Sequence, residues 1–131
     1  MATILVVDDE QRIRDLLRNV LAGQGHKICV ASNGSEALMA LEVSRPDLVL
    51  LDVAMPEMDG IQFLRVLRES PEWANTPVIL LTAFATPQQH SDADGLGVCG
   101  QLTKASFSVR ELRARIAGYL AQTGSGNAAV C

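Results

Sequence analysis

The feature that most constrains this chain is a strict alternation: short aliphatic runs are each followed by a stretch of helical periodicity. The apolar runs are Thr3–Val7, Lys27–Ala31, Leu48–Leu51, Val78–Leu81 and the weaker Gly100–Thr103. Leu48–Leu51 is uninterrupted and short, which fits a strand buried on both faces. Between the runs, Ile13, Leu16, Leu17, Val20 and Leu21 share one helical face, and Gly23 and Gly25 end that helix. Asn33-Gly34-Ser35-Glu36 opens a helix that carries Leu38 and Leu41 inward and stops before Pro46. Asp59 is placed to cap a helix with Phe63, Leu64 and Leu67 on its core face, closed by Pro71. Ser108-Val109-Arg110-Glu111 is a capping box ahead of Leu112, Ile116 and Leu120. Five strand–helix alternations with short connections require right-handed parallel crossovers, so the expected fold is α/β, a doubly wound parallel five-stranded sheet with helices on both faces.

At 131 residues and 48% hydrophobic, the chain buries a full core as one domain, expected over residues 1–121, with 122–131 as a flexible tail or truncated linker. A net charge of -4 with scattered Lys and Arg argues against a nucleic-acid footprint. Cys29, Cys99 and Cys131 show no ligand spacing and read as free thiols in a reducing compartment. No run approaches the ~18 apolar residues of a membrane span, and no charged leader precedes the first strand, so a cytoplasmic location is expected.

The chemistry lies at the strand exits. Asp8 and Asp9 follow the first run, Asp52 the third, Thr82 the fourth and Lys104 the fifth. In a parallel sheet these exits share one edge, the edge where open α/β sheets bind ligands. Crowded carboxylates repel unless a cation sits among them, and the hard oxygens of Asp8, Asp9 and Asp52 suit Mg²⁺. Because Mg²⁺ favours few protein carboxylates plus water and phosphate, a phosphoryl group is the implied further ligand. Lys104 supplies a point charge for it, Thr82 a hydrogen bond, and Asp52 a nucleophile able to form an acyl phosphate.

Together with Asp52-Val53-Ala54-Met55-Pro56-Glu57-Met58-Asp59-Gly60 and the Thr82-Ala83 pair, this ordered set resembles the receiver domain of two-component response regulators, over about residues 3 to 121. The resemblance implies strand order 2-1-3-4-5. It also implies that Asp52 accepts a phosphoryl group from a phosphohistidine on a sensor histidine kinase or phosphotransfer protein. Asp9, Asp52 and the backbone carbonyl of Ala54 then bind Mg²⁺ directly and Asp8 helps through water. Thr82 and Lys104 contact the phosphoryl oxygens. Output is expected as altered binding to another protein, or through a domain absent from this chain, because too little chain follows Gln122 for a DNA-binding domain; no nucleic-acid or membrane contact is expected through this domain.

Departures from the family cluster after the fourth strand. Gln101 stands where receivers usually carry an aromatic switch, and Ala105 follows Lys104 where Pro is usual. A cis non-proline bond costs about 2.5–4 kcal/mol, so a trans Lys104–Ala105 bond is expected. Phe84 places a bulky apolar side chain near the site mouth, and the expected fourth helix over 87–95 has almost no apolar stripe.

Taken singly, the residues have plainer readings. Asp8 and Asp9 read equally well as helix-capping acids, Thr82 as a strand end and Lys104 as a solvated charge. His26 and His90 read as surface histidines, and Met39, Met55 and Met58 as core or loop packing. Arg65, Arg68, Arg110, Arg113 and Arg115 read as solvated helix-face residues. Two other functions compete with the phosphoacceptor. One is a pseudo-receiver interaction module that is not switched by phosphorylation, which Gln101 and Ala105 favour. The other is a Mg²⁺-dependent aspartate-nucleophile phosphatase, whose Asp-x-Asp motif after the first strand is replaced here by Asp8-Asp9-Glu10.

Overall fold

The structure, a computed structural model, describes residues 2–52, 60–82, 100–103 and 108–123. Five strands, β1 (Thr3–Val7), β2 (Lys27–Ala31), β3 (Leu48–Asp52), β4 (Val78–Thr82) and β5 (Gly100–Thr103), form one parallel sheet in the order β2-β1-β3-β4-β5. Four helices are described: α1 (Gln11–Ala22), α2 (Gly34–Ser44), α3 (Gly60–Glu69) and α4 (Val109–Thr123). The expected helix over 87–95 and the Asp59 cap lie outside the described residues. Strands three and four each run one residue further than the apolar pattern, so that Asp52 and Thr82 are paired within the sheet. The last helix also continues through Thr123, past the start of the stretch read as linker.

Side-chain alternation along the buried strands divides the core in two. Leu5, Val7, Val49, Leu51, Val78 and Leu80 pack on one face beneath Ala37 and Leu41 of α2 and Ile61, Phe63, Leu64 and Leu67 of α3. Ile4, Val6, Leu48, Leu50, Ile79 and Leu81 face the other way, against Ile13, Leu17 and Leu21 of α1 and Leu112 and Ile116 of α4. Helices therefore cover both faces, as the alternation demanded. Pairing starts from polar contacts at the strand entrances. The Asp47 carboxylate accepts the Thr3 N–H at 2.9 Å, and the Asp47 N–H donates to the Thr3 carbonyl at 2.7 Å.

Helix ends follow the sequence signals. Asn33 caps α2 by accepting the Glu36 N–H at 2.8 Å, and Ser108 caps α4 by accepting the Glu111 N–H at 3.0 Å. Gly25, after α1, adopts φ 86°, the left-handed turn that glycine accommodates without strain.

Several side chains depart from expectation. Leu16 is 41% exposed, because the stripe on α1 that reaches the sheet is narrower than its five apolar positions. Met39 is 72% exposed and so is not core packing, while Met55 and Met58 lie outside the described residues. Val43 is 87% exposed, so α2 carries apolar groups on its outer side as well as its inner one. An open cleft of about 260 Å³ lies between α2 and α3, bounded by Leu38, Leu41, Val66, Leu67 and Trp73 with Glu42 and Ser70. Cys29 is a half-buried free thiol.

Arg68 is the clearest correction. Rather than lying on a solvated face it is half-buried, and its Nη1 donates to the carbonyls of Trp73, Ala74 and Thr76 at 3.4, 3.1 and 2.7 Å. Burial lowers its pKa, yet a guanidinium stays charged. It thus gathers the carbonyls of the turn that leads from α3 into β4. Hydrogen bonds to charged groups contribute roughly 1.5–3 kcal/mol, so Arg68→Ala is expected to lower unfolding free energy by about that amount, measured as a reduced urea midpoint.

His26 is also partly buried, and its Nδ1 accepts the Ala2 N–H at 3.2 Å. Burial holds its pKa below the ordinary 6.5, so the folded state prefers the neutral ring. As pH falls below 6.5 the unfolded chain takes up the proton first, and stability declines until the folded-state pKa is passed. Denaturation across acidic pH is expected to show this shallow loss in wild type and a flatter profile in His26→Gln.

Candidate metal and phosphoryl site

All five strands run in the same direction, so their C-terminal ends form one rim. The last pair between β1 and β3 is Val7 with Leu51, which sets Asp8 beside Asp52 one residue further on. By the alternation along β3, Asp52 falls on the same face as Leu48 and Leu50, the face covered by α1. Both Asp8 and Asp52 are buried, at 0% and 2% exposure, while Asp9 is exposed.

One carboxylate oxygen from each of Asp8, Asp9 and Asp52 lies within 4.8 Å of the other two. Two buried acids and one exposed acid around a single point make a hard-oxygen donor set open to solvent on one side. That chemistry fits Mg²⁺, which binds few carboxylates and keeps positions for water and phosphate. Like charges this close raise the free energy of the ionised cluster, and a divalent cation reverses the sign of that interaction.

Local bonding explains why the acids stay there. The Asp8 N–H donates to the Ala31 carbonyl at 3.1 Å, which ties the β1 exit to the end of β2. Its Oδ1 accepts the Glu10 N–H at 2.8 Å, turning the chain sharply into α1. The residue that caps α1 is Glu10, without a side-chain cap bond, and the first turn holds no acid. The reading of Asp8 and Asp9 as helix caps is therefore overturned. Sequence reasoning also missed Arg14, whose Nη1 donates to the Asp8 carbonyl at 2.6 Å.

On the far side of the rim, Thr82 closes β4 and pairs with Thr103, the residue before Lys104. Gln101 lies within β5, opposite Leu80. Lys104, Ala54, Phe84 and the Lys104–Ala105 bond lie outside the described residues.

Comparison with known proteins agrees with this arrangement. Residues 4–117 match the response regulator receiver domain family. The chain is 46% identical over 101 residues to an uncharacterized 14.6 kDa protein of Leptolyngbya boryana, covering 77% of each. It is 38% identical over 117 residues to sporulation initiation phosphotransferase F of Bacillus subtilis, covering 89% of this chain and 92% of that protein. The crystal structure of response regulator TrrA from Thermotoga maritima, in complex with Mg²⁺–BeF, superposes with TM-score 0.77 at 36% identity, covering 90% of this chain and 98% of the other. Against several other curated relatives the chain spans about half their length, 48% to 55%. Sheet order, rim acids and matched residues lead to one conclusion: the chain belongs to the response regulator receiver domain family.

Proposed function

We propose that the chain is a phosphoacceptor receiver, with Asp52 taking a phosphoryl group from a phosphohistidine on a sensor histidine kinase or a phosphotransfer protein. The observation that carries this reading is the convergence of the Asp8, Asp9 and Asp52 oxygens at the β1 and β3 exits. An Asp52 carboxylate oxygen attacks phosphorus, the O–P bond forms as the donor's N–P bond breaks, and the electron pair returns to the imidazole nitrogen. Asp9, Asp52 and the Ala54 carbonyl would hold Mg²⁺ directly, with Asp8 acting through water. When bound, the ion offsets the negative charge on the phosphoryl oxygens. Thr82 donates a hydrogen bond to one of these oxygens and Lys104 pairs with another.

The phosphorylated form then signals by a changed affinity for another protein in the cytoplasm. Among the described residues no helix is long and apolar enough to cross a membrane. The relatives support the reading: one is named a phosphotransferase, and another is solved with Mg²⁺–BeF. A pseudo-receiver is the second reading, favoured by Gln101 and Ala105 in place of the usual aromatic and proline.

The deciding experiment incubates the protein with Mg²⁺ and a radiolabelled phosphohistidine donor domain. A label on wild type that hydroxylamine removes, and that is absent when EDTA replaces Mg²⁺, is the expected result. No label from any of a panel of donors would favour the pseudo-receiver.

A further inference from the structure

Arg14 occupies an unusual place. It is the fourth residue of α1, close to the helix end where the dipole favours anions, and it is half-buried. Its guanidinium turns back to the main chain: Nη1 donates at 2.6 Å to the carbonyl of Asp8. That carbonyl belongs to the peptide joining Asp8 to Asp9, and a peptide is planar. Pinning its oxygen therefore sets the nitrogen from which Asp9 continues.

The preceding peptide is fixed as well, by the 3.1 Å bond from the Asp8 N–H to the Ala31 carbonyl. Both planes flanking Asp8 are thus held, one by β2 and one by Arg14. A further contact extends the frame. Glu36 accepts from the N–H and the hydroxyl of Ser32 at 2.8 and 2.7 Å, and Ser32 directly follows Ala31. Those bonds, together with the field of Arg14, hold the Glu36 carboxyl below the ordinary carboxylate range.

We infer that Arg14 is a positioning residue for the divalent-cation site, fixing the Asp8–Asp9 peptide so that both carboxylates meet Asp52. The inference rests on the Mg²⁺ reading proposed above. It predicts an effect of unexpected sign. Deleting a nearby positive charge would, by Coulomb's law alone, tighten binding of a cation. Losing the positioning bond instead weakens it, and outer-shell substitutions typically weaken metal affinity about 10–100-fold.

Calorimetric titration with Mg²⁺ separates the two. Arg14→Ala is expected to raise the Mg²⁺ Kd about tenfold or more, and Arg14→Lys, which keeps one donor, to recover part of the affinity. Arg12 is the control, being exposed and 3.8 Å from Glu10 in an ion pair; Arg12→Ala should leave Kd unchanged or slightly lower. Circular dichroism monitors folding of each variant, and should Arg14→Ala fail to fold, the Lys variant alone decides by weaker binding than wild type. Wild-type binding with equal or tighter binding in the folded Arg14 variants overturns the positioning role. Absence of Mg²⁺ binding to wild type overturns the underlying metal reading instead.

Discussion

Asp52→Asn protein, incubated with Mg²⁺ and a labelled phosphohistidine donor, is expected to carry no label, a loss of at least about a hundredfold relative to wild type. Asparagine matches aspartate in shape, so a site that is only 2% exposed is filled without steric change. The difference is chemical. An amide oxygen is a poor nucleophile, and the candidate cation cluster loses one of its anionic members. The melting temperature and circular dichroism of the variant are recorded alongside, so that loss of label is read only on folded protein. Label retained by folded Asp52→Asn would place the acceptor elsewhere, and phosphomonoester turnover surviving the substitution would revive the phosphatase reading.

Phe63→Ala is expected to be the most destabilising single truncation, at about 3–5 kcal/mol. Phe63 is fully buried in the cluster that joins α3 to Leu5, Val7, Val49 and Leu51. Truncation removes a ring from a packed interior, and neighbours held by the sheet ladders can relax only partly into the void. Domains have total stabilities of about 5–15 kcal/mol, so such a loss consumes a large share of the margin. Urea denaturation should show a lowered midpoint with an unchanged slope; a loss below about 1 kcal/mol would mean that the site collapses around the void.

Much of the architecture was legible because buried parallel strands are chemically blunt: Leu48–Leu51 has one plausible conformation in a chain of this pattern. The rim acids were legible for a related reason. A carboxylate directly after a fully apolar run must emerge at the strand's end, and Asp8 and Asp52 do so at adjacent positions. Side-chain burial on the helices was less legible. Periodicity at Leu16 and Met39 specifies a face but not how much of that face the sheet covers, and α2 packs beside an edge strand, β2, that is itself only partly buried.

The arginines were missed for a different reason. Arg14 and Arg68 bind main-chain carbonyls, which every residue possesses, so no partner side chain announces the contact. His26 accepts a main-chain N–H and was hidden in the same way. The glycine and serine signals, by contrast, succeeded because each acts within its own turn, as Ser108 does on Glu111.

The bonds between Asp47 and Thr3 bear on how the chain counts its residues. Every position of Leu48–Leu51 is apolar and buried, so a slip of β3 by one residue would leave each face of the sheet with aliphatic side chains and cost the core little chemically. The same slip would carry Asp52 about 3.3 Å along the strand and turn it to the opposite face, away from Asp8. Hydrophobic patterning alone therefore does not distinguish an aligned rim from a dismantled one. The distinction is made at the opposite end of the strand, where Asp47 engages both main-chain groups of Thr3. A polar clasp at one end of the sheet thus acts as the ruler against which the acids at the other end are measured.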